Sequence, residues 1–130
     1  MNLPKYCFDT HVLVWFFRKS KTLSGKAKSI LEEAFLGKSI SFIPSIVLLE
    51  AFRLSLKDPE FIFPKFLEFL SNAQFIIVPL EEDVLKICFG LPKEVNIHDR
   101  VVIATAISTD SKLITKDKIL RSFFPNETIW

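Results

Sequence analysis

Short apolar runs alternate with stretches of helical periodicity along this chain, and that alternation restricts the fold more than any other feature. Tyr6-Cys7-Phe8, Ile40 to Ile43, Phe75 to Val78 and Lys112 to Thr115 read as strands. The segments between them read as helices. Thr10 is placed to cap a helix over His11–Arg18, and Ser24 a second one running to about Leu36, with Ile30, Leu31, Ala34 and Phe35 at helical spacing and Gly37 as its end. Pro44-Ser45 opens a helix containing Ile46, Leu49, Ala51 and Phe52; Asp58-Pro59-Glu60 ends it and starts another. Glu81 to Gly90 is helical, Pro92 to Ile97 is loop, and Asp99 opens a helix carrying Val102, Ile103, Ala106 and Ile107 on one side. Thr128-Ile129-Trp130 adds a short edge strand. Strands alternating with helices predict a three-layer α/β/α sandwich around a parallel sheet of four to five strands. At 130 residues, with no repeat or linker, residues 1–130 are expected to form a single domain.

Four carboxylates fall where strands end or helices begin: Asp9, Glu50, Asp99 and Asp117. In an open parallel sheet, ligands bind in the crevice at the carboxyl ends of the strands. Acids gathered there repel one another unless a cation joins them, and an all-oxygen donor set suits Mg²⁺ or Mn²⁺. Taken singly, Asp9 and Asp99 are also good helix caps and Asp117 a good turn residue. Glu50 resists such an account. It lies mid-helix, between Ile46-Val47 and Leu54, where a carboxylate needs a partner such as Arg53 or a metal.

The net charge of +2 decides little, but its distribution is uneven: Arg18, Lys19, Lys21, Lys26 and Lys28 form a run without an acid. Such a patch attracts phosphate backbones. Cys7 and Cys88 are the only cysteines, both in apolar surroundings, which suits two reduced thiols in a cytoplasmic protein and not a zinc site. Asp9 interrupts the apolar start, so no secretory signal is expected, and Val12 to Phe17 is far too short to span a membrane. Fourteen phenylalanines are unusual for this length. The segment Phe61 to Leu70 holds more apolar residues than one helix face can bury, and part of it, tested at Phe66 and Phe69, is expected to form an interface with a second copy or a helix of a partner protein; the alternative is a helix buried on two sides within the monomer.

Other folds with acids at strand ends fail on spacing. A receiver domain needs an adjacent acidic pair after its first strand, and a haloacid-type phosphatase needs a second Asp where this chain has His11. A dinucleotide enzyme needs a glycine-rich turn, and only Gly25, Gly37 and Gly90 are present.

The motifs Phe8-Asp9-Thr10-His11-Val12-Leu13, Glu50 within its helix, His98-Asp99-Arg100-Val101-Val102-Ile103-Ala104-Thr105-Ala106 and Leu113-Ile114-Thr115-Lys116-Asp117 together resemble the PIN domain. More narrowly, they are similar to the VapC-type toxins of toxin–antitoxin pairs. One departure is Val47, where relatives often place a small hydroxyl residue one turn before the glutamate. The resemblance implies a Mg²⁺- or Mn²⁺-dependent endoribonuclease, with Asp9, Glu50, Asp99 and Asp117 carrying both metal and catalysis. It implies Thr10 and Thr115 as residues that orient those acids, and an RNA substrate, a cognate antitoxin and a homodimer as partners. Substrate contacts are expected from Arg18, Lys19, His98, Arg100 and Lys116. The alternatives are a PIN-fold nuclease of RNA processing without an antitoxin, and a PIN-fold module that binds RNA or protein without cutting.

Overall fold

The computed structural model describes residues 2–130. Five strands, β1 (Lys5–Phe8), β2 (Ile40–Pro44), β3 (Phe75–Val78), β4 (Lys112–Ile114) and β5 (Thr128–Ile129), form one sheet in the order β3-β2-β1-β4-β5. All neighbours pair in parallel: Cys7 lies opposite Phe42 on one side and Leu113 on the other, and Phe8 opposite Ile114. The result is the expected three-layer α/β/α architecture. The chain builds outward from β1 to β3, then crosses to the other side of β1 for β4 and β5. The strand order therefore reverses between β1 and β4, and the crevice at that point is where an open sheet holds a ligand.

Among the described residues seven helices connect the strands: α1 (Thr10–Phe17), α2 (Gly25–Phe35), α3 (Ser45–Lys57), α4 (Phe63–Ser71), α5 (Glu82–Phe89), α6 (Ile97–Ser108) and α7 (Lys118–Phe123). Four starts differ from the expected ones by a residue or more, that of α5 only by the shift from Glu81 to Glu82. Asp9, not Thr10, caps α1, accepting from the Thr10 amide. Asn96, not Asp99, caps α6, which puts Asp99 in the first turn. Asp58 does not open α4, because its side chain is taken by the Glu60 amide and by Arg18; Pro64 sits in the first turn of α4 instead. Ser24 caps α2 as expected, through the Ala27 amide, and Gly37 follows that helix at φ 73. The short helix α7, capped by Asp117, is an addition to the sequence reading.

Most of the phenylalanines pack in or against the core, while Phe52, Phe89 and Phe123 are exposed. Phe16 and Phe17 of α1, Phe35 of α2 and Phe69 of α4 pack with centroids 5.1–5.8 Å apart in the contacts that Phe69 makes. Phe75 joins them to the sheet by edge contacts to Phe8 and Phe35. Such pairs add about 0.5–1.5 kcal/mol each beyond area burial. This takes Phe66 and Phe69 out of the interface expected from part of the Phe61–Leu70 segment. Phe61, Phe66 and Leu70 are buried, and Phe69 is half-buried in the cluster, because α1 and α2 supply rings on one side of α4 and the sheet lies beneath. Only Ile62 and Leu67 of that segment remain as exposed large apolar side chains. Cys7 and Cys88 are buried free thiols, and burial pushes the Cys7 thiol far above its ordinary range. Among the described residues no helix is long and apolar enough to cross a membrane.

Candidate functional site

A cavity of about 420 Å³ opens at the β1–β4 switch point, and Asp9, Glu50, Asp99 and Asp117 all line it. Four separate segments deliver them. Asp9 ends β1 and caps α1, Glu50 projects from the middle of α3, Asp99 lies in the first turn of α6, and Asp117 follows β4 as the cap of α7. His11, Val12, Trp15, Asn96 and Lys116 complete the wall.

The acids are held to different degrees. Asp9 is the most fixed: its Oδ1 accepts from the Thr10 amide at 2.8 Å and its Oδ2 from Thr115 Oγ1 at 2.7 Å. Thr115, fully buried, also accepts from the Asp117 amide at 3.0 Å, so one hydroxyl links the turn after β4 to the end of β1. Asp117 Oδ1 accepts from the Leu120 amide at 2.8 Å. Asp99 and Asn96 bond reciprocally: Asn96 Nδ2 donates to Asp99 Oδ2 at 2.8 Å, and the Asp99 amide donates to Asn96 Oδ1 at 2.9 Å. Asn96 was not among the residues the sequence singles out; its signal is an Asn three residues before an acid, ahead of an apolar run. Glu50 is the loosest of the four. Its Oε1 lies 4.0 Å from His98 Nδ1, and His98 takes the place foreseen for Arg53. Thr10 Oγ1 is buried without a hydrogen-bond partner and faces Glu50 closely enough to favour its charged form.

Burial and the neighbouring negative charges raise the proton affinity of Asp9, Glu50 and Asp99. Asp99 is pushed up to about 6, first by burial and then by the charges of Asp117, Asp9 and Glu50. Glu50 is raised by burial and then by Asp9. Asp9 is raised by burial, which outweighs its hydrogen bonds to Thr115 and Thr10. The four groups thus share one electrostatic site.

The basic residues divide. Lys116 lines the cleft, its Nζ 5.7 Å from the Trp15 ring centroid, and His11 stacks on Trp15 at 5.5 Å. His98 is exposed beside Glu50. Arg18 is outside the cleft wall, paired with Asp58 at 2.5 Å over the ring of Phe61. Lys19 also lies outside that wall, lining a neighbouring cavity. Arg100 is withdrawn from the expected substrate contacts. Its guanidinium donates to the carbonyls of Val95, Cys88, Leu91 and Pro92 at 2.7–3.1 Å, closing the loop between α5 and α6. Arginine offers five donors in a fixed fork, and here four bonds point into the protein's own backbone.

Among the described residues no group of three or more His, Cys, Asp or Glu side chains is already arranged around one ion. That is compatible with Mg²⁺, which keeps several waters and takes only one or two carboxylates directly. The donor set is hard oxygen, supplied by four carboxylates that face one cleft. The residues present therefore fit a Mg²⁺- or Mn²⁺-type cation.

Comparison with known proteins agrees with this architecture. The structure superposes on a chain of a toxin-antitoxin complex from Klebsiella pneumoniae with TM-score 0.70 and 22% identity, covering 96% of each chain. It also superposes on VapBC2 from Rickettsia felis, bound to a DNA fragment from its promoter, with TM-score 0.73 and 18% identity over 96% of this chain and 97% of that one. At such identity the likeness speaks for the fold. No curated protein sequence gives a significant match. Residues 6–123 match the PIN domain family from the first strand through α7, and the chain belongs to that family.

Proposed function

We propose that this protein is a metal-dependent endoribonuclease, the toxin of a type II toxin–antitoxin pair, acting in the cytoplasm as a single PIN domain over residues 1–130. One observation carries the reading: four carboxylates from four segments meet in one cleft at the sheet's switch point and repel one another there. A fold does not hold unpaired acids together for stability. A divalent cation and a phosphodiester account for the arrangement.

In this reading Asp9, Glu50, Asp99 and Asp117 hold Mg²⁺ or Mn²⁺. Such a cation supplies positive charge to the phosphate oxygens and a nucleophilic water at neutral pH. The chain's own part is positioning. Thr115 and the Thr10 amide fix the rotamer of Asp9, and Asn96 fixes that of Asp99. Glu50, with fewer bonds, would be free to meet the cation, and the unpartnered Thr10 hydroxyl lies close enough to favour its charged form. Lys116 at the rim draws the polyanion toward a cleft that otherwise repels it. No side-chain nucleophile is required, since phosphoryl transfer leans on alignment and charge.

Likeness to chains of toxin–antitoxin complexes supports an antitoxin protein as partner. A homodimer is part of the same reading. The deciding experiment is incubation of the purified protein with single-stranded RNA in Mn²⁺ or Mg²⁺. Cleavage that stops with EDTA and is absent in Asp99→Asn supports the reading. RNA that is bound but never cut would make this a binding module.

A further inference from the structure

Trp15 stands between two cavities. It lines the acidic cleft, and it also lines a second cavity of about 530 Å³ walled by Phe16, Lys19, Lys21, Lys28 and Glu32, among others. The two spaces are neighbours across one side chain, and their charges are opposite. The cleft sets four carboxylates against Lys116, while the second cavity sets three lysines against one glutamate. Lys19 is placed there at a conformational cost. It follows the C-cap of α1 with φ 56, in the left-handed region where glycine is the usual residue.

The geometry points to a path for the substrate strand: single-stranded nucleic acid leaving the acidic cleft passes over Trp15 into the second cavity. There its bases stack on aromatic rings and its phosphates pair with Lys19, Lys21 and Lys28. The inference rests on the phosphodiester reading of the acidic cleft. Carboxylates repel a polyanion, so the strand has to be gripped by cations beside them, and the cavity that adjoins the cleft through Trp15 supplies three. Rings supply the sequence-tolerant half of single-strand binding, and amines the salt-dependent half. An occupant confined to this cavity would have no use for its continuity with the acids.

The test reads binding without cleavage. Asp99→Asn protein is titrated into a fluorescently labelled 12-nucleotide single-stranded RNA at several salt concentrations, and anisotropy is followed. Changing Lys19, Lys21 and Lys28 together to Gln should weaken binding at least tenfold. It should also lower the slope of log affinity against log salt by about 2, the yield of three contacts at ~0.7 each. Changing the same three to Arg should restore both. A control with Lys5, Lys38 and Lys86 changed to Gln has the same net charge and should bind nearly as the parent does. Equal losses in the two Gln triples would mean that net charge alone matters, and would overturn the path. So would unchanged RNA affinity in the cavity variant, including the case where that variant loses a protein partner instead. Absence of metal-dependent cutting by the wild-type protein would sink the nuclease reading and leave this result standing.

Discussion

Thr115 Oγ1 donates to Asp9 Oδ2 at 2.7 Å across 106 residues of sequence, tying the end of β4 to the end of β1 at the point where strand order reverses. The same oxygen accepts from the Asp117 amide, so two of the four acids are positioned by one buried hydroxyl. Removing it leaves the shape of the site and takes away its alignment.

Thr115→Val keeps the side-chain volume and deletes the hydroxyl. A buried carboxylate oxygen then lacks its donor, which costs about 1–3 kcal/mol of stability. Loss of an outer partner of a metal-binding acid typically weakens metal affinity 10–100-fold. Mn²⁺ titration by calorimetry and a denaturant melt should show both effects, with Thr115→Ser near wild type. Wild-type Mn²⁺ affinity in the Val variant would show that Thr115 only packs.

The acids themselves are tested by isosteric neutralisation. Asp9→Asn, Glu50→Gln or Asp99→Asn should each abolish cleavage with the fold intact, because the amide keeps the shape and loses the charge that binds the cation. Asp117→Asn should retain some activity, since its Oδ1 already caps α7 and the cap survives in Asn. Single-turnover cleavage at saturating Mn²⁺ measures this, with circular dichroism as the folding control. An Asp99→Asn variant that cuts at the wild-type rate would remove Asp99 from the site.

The sequence makes the strands and the acids legible because both are written locally. Tyr6-Cys7-Phe8 and Phe75 to Val78 are short apolar runs with only one stable use in an alternating chain. Helix starts are legible only to within a few residues, because Asp9 and Thr10 are both good caps and only the direction of the chain leaving β1 chooses between them. The same ambiguity hid Asn96 behind Asp99. Arg100 is illegible for a different reason. Its four carbonyl partners come from a loop and a helix end that no periodicity describes. The fate of Phe66 and Phe69 is equally non-local, since rings from α1 and α2 cover them. Counting apolar residues in one helix cannot reveal how many other elements will come to bury it.

Arg100 supports the loop that carries Asn96 and so indirectly places Asp99. Arg100→Met fills part of the space and leaves four carbonyls without their donor. A loss of about 2 kcal/mol or more is expected from such unpaired groups, read as a lower denaturant midpoint. Because the guanidinium faces backbone and not phosphate, the salt slope of RNA binding should stay as in wild type under conditions where the variant is folded. A slope lower by about 1 would return Arg100 to the phosphate contacts.

The last prediction follows from the sign of one shift. Asp99 titrates at about 6 in the folded protein against an ordinary value of 3.8, because burial and then the charges of Asp117, Asp9 and Glu50 disfavour its ionised form. A carboxyl raised on folding holds its proton more tightly in the native state. The stability this contributes is fully present below about 3.8 and is lost as pH rises through about 6. Above that window the ionised Asp99 works against the metal-free fold, and Asn at this position does not. The melting temperature of Asp99→Asn in EDTA should therefore be close to wild type near pH 4. The difference should grow in the mutant's favour up to pH 7, reaching a gain worth ~1 kcal/mol, the scale of an ordinary single substitution. Excess Mn²⁺ at pH 7 should reverse the order, since a ligand that binds only the folded wild type stabilises it by mass action. If Asp99 served merely the helix N-terminus, the signs would change: Asn would lose the favourable charge–dipole interaction, and the mutant would melt slightly lower and ignore Mn²⁺. A pH series of melts with and without metal separates the two, and a mutant less stable than wild type at pH 7 in EDTA would end the account of Asp99 as a mutually repelled acid.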